Sequence, residues 1–340
     1  MKRSGLTAML LLATFGLALL GLAIAAPTRT PVAEGQGTWT VKSPMPGGPR
    51  AEIPAVAVDG KIYVIGGSAK GIGYDIARNE EYDPTTDRWR LRAPMPHGFN
   101  HMGAAALDGK LYAAGGFVSP GHHDPSDSFF SYDPSTDTWR TLAPLPSRRG
   151  AVAVAALDGK IHVLGGREGE SAPIAAHDVY DPASGKWSIA APLTRARDHM
   201  AAIALDGRIH LIGGRRSVDN DGMVDWHEVY DPATNSWSAA SPMPEPRGGV
   251  VGALYGGLIF ILGAEDNRRT YDENFAFDVD TNRWIRLKPL PQPMHGFGAA
   301  AAGQYLYVAG GATMVGSNGV SDQLLAFSLP QALPAGEQGR

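Results

Sequence analysis

The sequence predicts an all-β fold, a six-bladed β-propeller of four-stranded antiparallel blades, and three recurring features support this prediction. Tryptophan returns every 47 to 50 residues, at Trp39, Trp89, Trp139, Trp187, Trp237 and Trp284. Paired glycines return at a similar interval, at Gly66-Gly67, Gly115-Gly116, Gly165-Gly166, Gly213-Gly214 and Gly310-Gly311. A Tyr-Asp-Pro turn starts at Tyr82, Tyr132, Tyr180 and Tyr230. Six copies of one unit of about fifty residues indicate a repeat architecture.

Each unit has the pattern of four short strands, as the third unit illustrates. Residues 151–157 form a small apolar first strand, which turns at an Asp-Gly dipeptide suited to the positive φ angles of a two-residue hairpin. A second strand at 161–164 runs into the glycine pair, where a bulky side chain would prevent close backbone packing. The third strand ends at the turn that begins with Tyr180, and the fourth strand carries Trp187.

Side-chain size increases from the first strand to the fourth strand of each unit, as expected for sheets arranged radially around an axis. First strands are rich in alanine, as at 104–106, 201–202 and 299–302, whereas fourth strands carry tryptophan. Wedge-shaped blades leave little room near the axis, so small residues belong there. The combination of glycine pair, spaced tyrosine and spaced tryptophan resembles the kelch repeat family over residues 38–329. This resemblance implies the propeller but no activity, because kelch propellers host unrelated functions.

Two units depart from the repeat. The fifth has Gly263-Ala264 in place of the glycine pair and Phe277 in place of the tyrosine. The sixth has no tryptophan after Phe327, whereas Trp39 precedes every first strand. We therefore predict that residues 38–42 pair as an outer strand beside residues 324–329. This pairing would close the ring and remove exposed sheet edges.

The N-terminal segment is typical of an exported protein. Lys2 and Arg3 precede an apolar run at 6–24, and Ala23-Ile24-Ala25 fits the small-x-small cleavage rule. We predict a signal peptide at 1–25 and a periplasmic or secreted protein. The run is also long enough to span a bilayer, so an uncleaved membrane anchor is the alternative. Residues 26–37 and 330–340 lack strand patterning and are predicted to be a flexible linker and tail around the propeller domain at 38–329.

Composition excludes several classes of chemistry. The chain has no cysteine, which excludes disulfides, thiol catalysis and Cys-ligated zinc. It also excludes the copper-radical chemistry of galactose oxidase, a kelch-repeat enzyme whose cofactor requires a cysteine linked to a tyrosine. A net charge of −4 without a long basic run argues against a nucleic-acid partner. No P-loop, Rossmann fingerprint, nucleophile elbow or zinc-protease helix is present, so no cofactor is predicted.

Aligning the units places arginine at one position, nine residues before the aspartate of the Asp-Gly turn. The six copies have Arg50, Phe99, Arg149, Arg197, Arg247 and Met294 there. One interpretation is a set of anion-binding arginines facing an acidic ligand. The other interpretation, favoured by the frequency of arginine at this point of kelch repeats, is that these side chains pair within the blades.

The next two positions break the repeat, which makes them better candidates for function. They include Glu52 and the five polar residues Asn100, His101, Asp198, His199 and His295. We predict that these five residues, with Arg149, Arg197 and Arg247, form a polar ligand site on the face where first strands begin. Because they come from separate blades, the sequence shows no metal-ligand spacing, and no metal site is predicted.

Other histidine and acidic motifs are given structural interpretations. His122-His123-Asp124 is expected to be a solvated turn, because Pro and Gly surround it and adjacent residues seldom reach one ion. His162 and His210 occupy a position that holds tyrosine in three other units and are expected to be packing residues. Residues 219–222 begin like a calcium-binding loop, but the acid expected at its twelfth position is Tyr230.

Two functions remain open from the sequence. The first is a non-catalytic binding module that recognises a protein or a glycan, with an acidic ligand as one alternative. The second is a sugar epimerase or mutarotase acting on an acidic sugar such as sialic acid, because periplasmic sialic-acid epimerases are similar in overall plan. That similarity is at the level of the fold, and no catalytic residue is assigned from it.

Overall fold

The computed structural model describes residues 32–69, 76–119, 121–217, 222–316 and 318–330, and these residues contain strands but no helix. Accordingly, a search of this part of the chain finds no helix suited to crossing a membrane. The predicted signal peptide, residues 26–31 of the predicted linker, residues 331–340 of the predicted tail and residues 219–221 lie outside the described residues.

Twenty-eight strands are described, and twenty-four of them form six antiparallel four-stranded sheets. The first described strand is β1 (Thr38–Lys42). Blade one then contains β2 (Ala55–Val58), β3 (Lys61–Ile65), β4 (Asn79–Asp83) and β5 (Arg88–Arg92). Blade two contains β6 (Gly103–Leu107), β7 (Lys110–Ala114), β10 (Phe129–Asp133) and β11 (Thr138–Thr141), and its loop hairpin is β8 (Phe117–Ser119) with β9 (His123–Pro125).

The remaining blades repeat this order. Blade three contains β12 (Ala153–Leu157), β13 (Lys160–Leu164), β14 (His177–Asp181) and β15 (Lys186–Ile189). Blade four contains β16 (Ala201–Leu205), β17 (Arg208–Ile212), β18 (His227–Asp231) and β19 (Ser236–Ala239). Blade five contains β20 (Val251–Tyr255), β21 (Leu258–Leu262), β22 (Asn274–Asp278) and β23 (Arg283–Arg286). Blade six contains β24 (Gly298–Ala302), β25 (Tyr305–Ala309) and β28 (Leu324–Ser328), with a loop hairpin of β26 (Ala312–Met314) and β27 (Asn318–Val320).

The predicted fold class is confirmed, including closure by the N-terminal strand. β1 pairs antiparallel with β28 and is the outer strand of blade six. Trp39 lies opposite Phe327 in this register, and the two ring centroids are 4.8 Å apart. The outer edge of β28 is therefore covered by β1.

The innermost strands surround the axis, since each first strand contacts the first strands of both neighbouring blades. The contact is close enough to require small residues. A Cβ added at Gly103 would lie 2.4 Å from the Val154 side chain, and one added at Gly298 would lie 2.6 Å from the Cβ of Ala55. This packing explains the alanine and glycine content of the first strands.

The tryptophans link successive blades at the rim. Each indole Nε1–H donates to a backbone carbonyl just after the outer strand of the preceding blade. The donors are Trp89 to Ser43, Trp139 to Ala93, Trp187 to Ala143, Trp237 to Ala191, Trp284 to Ser241 and Trp39 to Lys288, over 2.7–3.3 Å. The fifty-residue period of tryptophan is therefore the period of this contact between blades.

Two buried histidine pairs occupy the blades, and we call them the blade histidine pairs: His162 with His177, and His210 with His227. The predicted packing role of His162 and His210 agrees with their 4 % and 7 % exposure. His177 Nδ1–H donates to Ala191 O, so its Nε2 accepts a hydrogen bond from His162 Nδ1–H over 2.9 Å. The second pair has the same arrangement. Burial lowers the pKa of His162 to about 3 and the pKa of the other three histidines to about 4.

Candidate functional site

Six equivalent residues, one from each blade, form a belt around the axis just before the first strands. All six have a positive φ, between 52° and 69°, and they are Glu52, His101, Ala151, His199, Gly249 and Gly296. We call them the axial belt. Each of His101, Ala151, His199 and Gly249 donates its backbone N–H to the carbonyl of the preceding member, over 2.9–3.2 Å.

The belt holds Glu52, His101 and His199 in a backbone conformation that suits glycine. A side chain in this left-handed region stores strain of about 1–3 kcal/mol, and such residues concentrate at functional sites. Gly296 takes the same conformation, and a Cβ there would lie 2.7 Å from Glu52 Oε1. The glycine thus makes room for the carboxylate of the neighbouring member.

The residue before each belt member forms a bridge with the residue after the glycine pair. Asp198 is paired in this way with Arg215, and Gly248 with Glu265. The approach to Asp198 requires a glycine at position 214, because a Cβ there, at φ +110°, would lie 2.7 Å from Asp198 O. The residues that follow the glycine pairs therefore also lie at this end of the axis.

A cavity of about 200 Å³ opens on the axial belt and continues between the first strands. We call it the axial pocket. Its apolar wall consists of first-strand residues and of the residues just before them, and its polar lining is Glu52, His101, His199, Arg215, Glu265 and His295. Polar side chains from blades one, two, four, five and six therefore meet at one pocket.

His295 connects the two carboxylates of the pocket. Its Nδ1 lies 3.5 Å from Glu52 Oε1, and its Nε2 lies 3.2 Å from Glu265 Oε2. Arg215 in turn contacts Glu265 Oε1 over 3.1 Å. His101 Nε2 lies 3.0 Å from the second oxygen of Glu52. Contacts between polar groups therefore run along the pocket wall from His101 through Glu52, His295 and Glu265 to Arg215.

The two belt histidines are each oriented by the residue before them. His199 Nδ1 lies 2.6 Å from Asp198 Oδ1, and His101 Nδ1 lies 2.5 Å from Asn100 Oδ1. Asn100 is itself fixed, because its Nδ2 donates to Ser119 O over 2.9 Å. Both imidazoles consequently hold Nδ1 toward the protein and Nε2 toward the axis.

Burial controls the protonation of this cluster. It lowers the pKa of His101 to about 3, and the positive charge of Arg215 acts in the same direction. The pKa of His199 is also lowered well below its usual range by burial and Arg215. Burial raises the pKa of Asp198 to about 7, although Arg167 and Arg215 oppose the shift. Both belt histidines are therefore neutral near pH 7.

His122 corrects one expectation from the sequence. The predicted solvated turn describes His123, whose side chain is 61 % exposed, but it is wrong for His122. The hairpin of β8 and β9 carries His122 to the belt, where its Nε2 lies 3.2 Å from His199 Nε2. Its ring also packs against His101 and Phe117, with centroids 4.8 and 5.3 Å away.

The predicted arginines lie inside the blades and not at the axial pocket. Arg149, Arg197 and Arg247 are 0–2 % exposed. Arg149 and Arg197 pair with Asp178 and Glu228 on the third strands of their own blades, and Arg247 pairs with Glu273 just before β22. Arg50 pairs in the same way with Glu80.

Blades two and six, which lack the arginine, also lack the acid. Phe99 occupies the arginine position of blade two and packs against Phe130, with ring centroids 5.9 Å apart. Met294 and Leu325 occupy the same two positions of blade six, within one apolar cluster. The arginine–acid pair is therefore one of several ways to fill the same space inside a blade.

The structure brings together His101, His199 and His295 of the predicted site and places Asn100 and Asp198 directly behind the first two. Three charged residues near the pocket, Arg167, Arg215 and Glu265, had no predicted role. Aligning the units could have identified them, since Arg167 and Arg215 follow a glycine pair and Glu265 follows Gly263-Ala264, where other units have Ser68, Phe117 or Ala312. Arg167 approaches Asp198 from its far side, over 3.7 Å.

Comparisons with known families match most of the repeat region. The family model described as the KLHDC2/KLHL20/DRC7 Kelch-repeats domain matches residues 101–311, and the Kelch motif model matches residues 49–96. The solved structure of YjhT superposes with a TM-score of 0.69 at 16 % identity, covering 82 % of this chain and 94 % of that chain. This last similarity concerns the fold alone.

Curated relatives match over shorter segments. N-acetylneuraminate epimerase from Escherichia coli is 33 % identical over 82 residues, which are 23 % of this chain and 22 % of the enzyme. Kelch-like protein 26 from Danio rerio is 33 % identical over 81 residues, or 23 % of this chain and 13 % of that protein. Human Kelch repeat and BTB domain-containing protein 12 is 34 % identical over 101 residues, or 26 % and 16 %. The chain thus spans about a fifth or less of the length of these relatives.

Proposed function

Because this chain belongs to the kelch repeat family, we propose that it is an exported binding protein that holds one sugar residue of a glycan in the axial pocket. The single observation that carries this proposal is the convergence of polar side chains from five blades on one cavity. Small-molecule binding sites are usually concave and contain a small number of polar groups that converge on the ligand.

The size and chemistry of the pocket favour a sugar over a protein surface. At about 200 Å³, it is smaller than the roughly 300–1,000 Å³ of sites for drug-sized ligands. Its carboxylates accept hydrogen bonds from hydroxyl groups, and Arg215 donates hydrogen bonds to sugar oxygens. A protein partner would instead contact the exposed loops around the rim.

The charge of the pocket wall favours a neutral sugar. Its formal charges are the carboxylates of Glu52 and Glu265 and the guanidinium group of Arg215. The acidic ligand considered from the sequence depended on Arg149 and Arg197, whose charges are balanced inside the blades. We therefore expect neutral hexoses and their oligosaccharides to bind more tightly than sugars carrying a carboxylate.

Binding is tested by titrating the purified mature protein with neutral and acidic oligosaccharides in calorimetry and saturation-transfer NMR. Glu52→Gln keeps the shape of the side chain but removes its charge, and it should weaken binding more than ten-fold. Asp83→Ala is the control, because Asp83 lies at the opposite end of blade one, as the last residue of β4. Equal affinities for the wild type and Glu52→Gln would exclude the axial pocket. Binding of a protein but of no sugar would refute the proposal.

A second candidate function, catalysis on a sugar ring, is favoured by the two carboxylates on either side of His295. Ring opening and epimerisation need a well-placed acid and base, and Glu52 and Glu265 are two acidic groups in one pocket, each in contact with His295. Anomer exchange of N-acetylneuraminate and of neutral aldoses, followed by NMR, tests this candidate. Acceleration by the wild type that is lost in Glu265→Gln would support it. If the protein does not change the rate of anomer exchange, this candidate is excluded and the binding function is retained.

Export is part of the proposal and is supported by the predicted signal peptide at 1–25. N-terminal sequencing of the protein recovered from the periplasm or medium should begin at Ala26. Recovery of an intact N-terminus in the membrane fraction would support the uncleaved anchor instead.

A further inference from the structure

Three histidines meet at the axial belt from distant parts of the sequence. His101 and His199 are belt members, and His122 comes from the hairpin of β8 and β9. One nitrogen from each ring lies within 4.8 Å of the others. We propose that His101, His122 and His199 bind one divalent transition-metal ion, such as Zn²⁺, at the mouth of the axial pocket. This inference goes beyond sugar binding and does not depend on it.

The separation of two of these nitrogen atoms matches that of two ligands on such an ion. Zinc binds imidazole nitrogen at about 2.0–2.1 Å, so two nitrogens of a tetrahedral site lie about 3.3 Å apart. The Nε2 atoms of His122 and His199 are 3.2 Å apart. In the metal-free arrangement a proton on His122 Nε2 joins them, and a bound ion would take the place of that proton.

The residues behind the histidines are those that metal sites commonly use. A histidine ligand usually donates its other N–H to a carboxylate or carbonyl oxygen, which fixes the ring and its tautomer. Asp198 Oδ1 takes this role for His199, and Asn100 Oδ1 takes it for His101. The amide of Asn100 cannot be reversed without losing its donation to Ser119 O. This support is independent of the convergence of the three rings.

A carboxylate also lies beside the three histidines. His101 Nδ1 lies 2.5 Å from Asn100 Oδ1, and its Nε2 lies 3.0 Å from Glu52 Oε2. Carboxylate oxygen is a common zinc ligand alongside imidazole nitrogen. An ion bound to His101 Nε2 would therefore lie close to the Glu52 carboxylate.

Acidic and basic side chains both surround the cluster. The carboxyl groups of Glu52, Asp198 and Glu265 lie around it, together with the guanidinium groups of Arg167 and Arg215. Imidazole ligands favour zinc and its neighbours over calcium or magnesium, which prefer oxygen ligands. With three protein ligands, the ion would keep a position open for water or a ligand oxygen, as catalytic zinc sites do.

The test uses the mature protein without a histidine tag, after treatment with a chelator. Calorimetric titration with Zn²⁺ should give one ion per chain with a Kd of about 1 µM or tighter. Cobalt(II) should give visible absorption bands of a four-coordinate site, and Zn²⁺ should displace them. A wild-type protein with native circular dichroism that binds no Zn²⁺ would refute the proposal.

Adjacent histidines provide a matched pair of variants. His122→Ala should weaken Zn²⁺ binding at least 100-fold, whereas His123→Ala, with a side chain that is 61 % exposed, should change it less than two-fold. Asp198→Asn should weaken binding about 10- to 100-fold, because it removes the carboxylate that orients His199. Equal affinities for His122→Ala and His123→Ala would place the ion elsewhere and overturn the assignment. Melting curves should be recorded for all variants to check that each protein is folded.

Discussion

Arg197 provides the sharpest test of which predicted site residues support the blade and which support the pocket. Its guanidinium group is fully buried, donates to Glu228 and also donates to Leu211 O over 3.2 Å. Arg197→Ala would leave the buried carboxylate of Glu228 without its main partner. Removing one member of a buried ion pair destabilises a protein by about 3–5 kcal/mol, because the remaining charge stays in a low-dielectric environment.

The expected change in melting temperature follows from this free energy. Domains of this size lose roughly 2 °C per kcal/mol, so Arg197→Ala should melt about 6–10 °C below the wild type. Arg195→Ala is the matched control, because Arg195 contacts the same Glu228 over 3.6 Å but is about half exposed. An exposed pair contributes roughly 0–1 kcal/mol, so the control should melt within about 2 °C of the wild type.

A double variant tests whether the ion pair can be replaced by apolar packing. Arg197→Met with Glu228→Leu would copy into blade four the residues that occupy the same positions of blade six. It should recover most of the stability lost in Arg197→Ala, since no buried charge remains. Thermal and urea unfolding measure the effect, and sugar titration at a temperature where all variants are folded measures affinity. A wild-type melting curve for Arg197→Ala together with lost sugar binding would refute this reasoning.

Further predictions concern pH, ring closure and oxidation chemistry. The blade histidine pairs stay neutral in the folded state, whereas unfolded histidines titrate near pH 6.5. The free energy of unfolding should therefore fall as pH drops from about 6.5 to 4, by up to about 1.4 kcal/mol per pH unit for each histidine. Replacing His177 and His227 by the asparagine found at this position of blade one should flatten that dependence, and an unchanged slope would contradict it. Deleting residues 26–43 removes β1 and should lower the melting temperature by more than 10 °C or cause aggregation, whereas an unchanged melting curve would show that β1 does not close the ring. Copper-loaded protein should produce no hydrogen peroxide from galactose, since the chain has no cysteine.

The architecture was predictable because its contacts repeat with the sequence. Each tryptophan and each glycine pair makes the same local contact in successive blades, so the period of about fifty residues is also the period of the fold. Closure was predictable for the same reason. The strand that carries Trp39 has no unit of its own, and the sixth unit has no tryptophan strand, so each supplies what the other is missing. The arginine position was visible too, but the sequence left open whether its side chains face a ligand or an acid within the blade.

The tertiary structure decided which polar residues meet. Asp198 and His199 break the repeat at the axis, and their place next to the pocket followed from the alignment of units. His122 could not be placed in this way, because it lies in a non-repeating loop whose path is set by contacts with Phe117 and His101. It reaches His199 across 77 positions of sequence. A repeat determines the contacts that recur between neighbouring blades, whereas convergence on the axis depends on how each irregular loop folds over it.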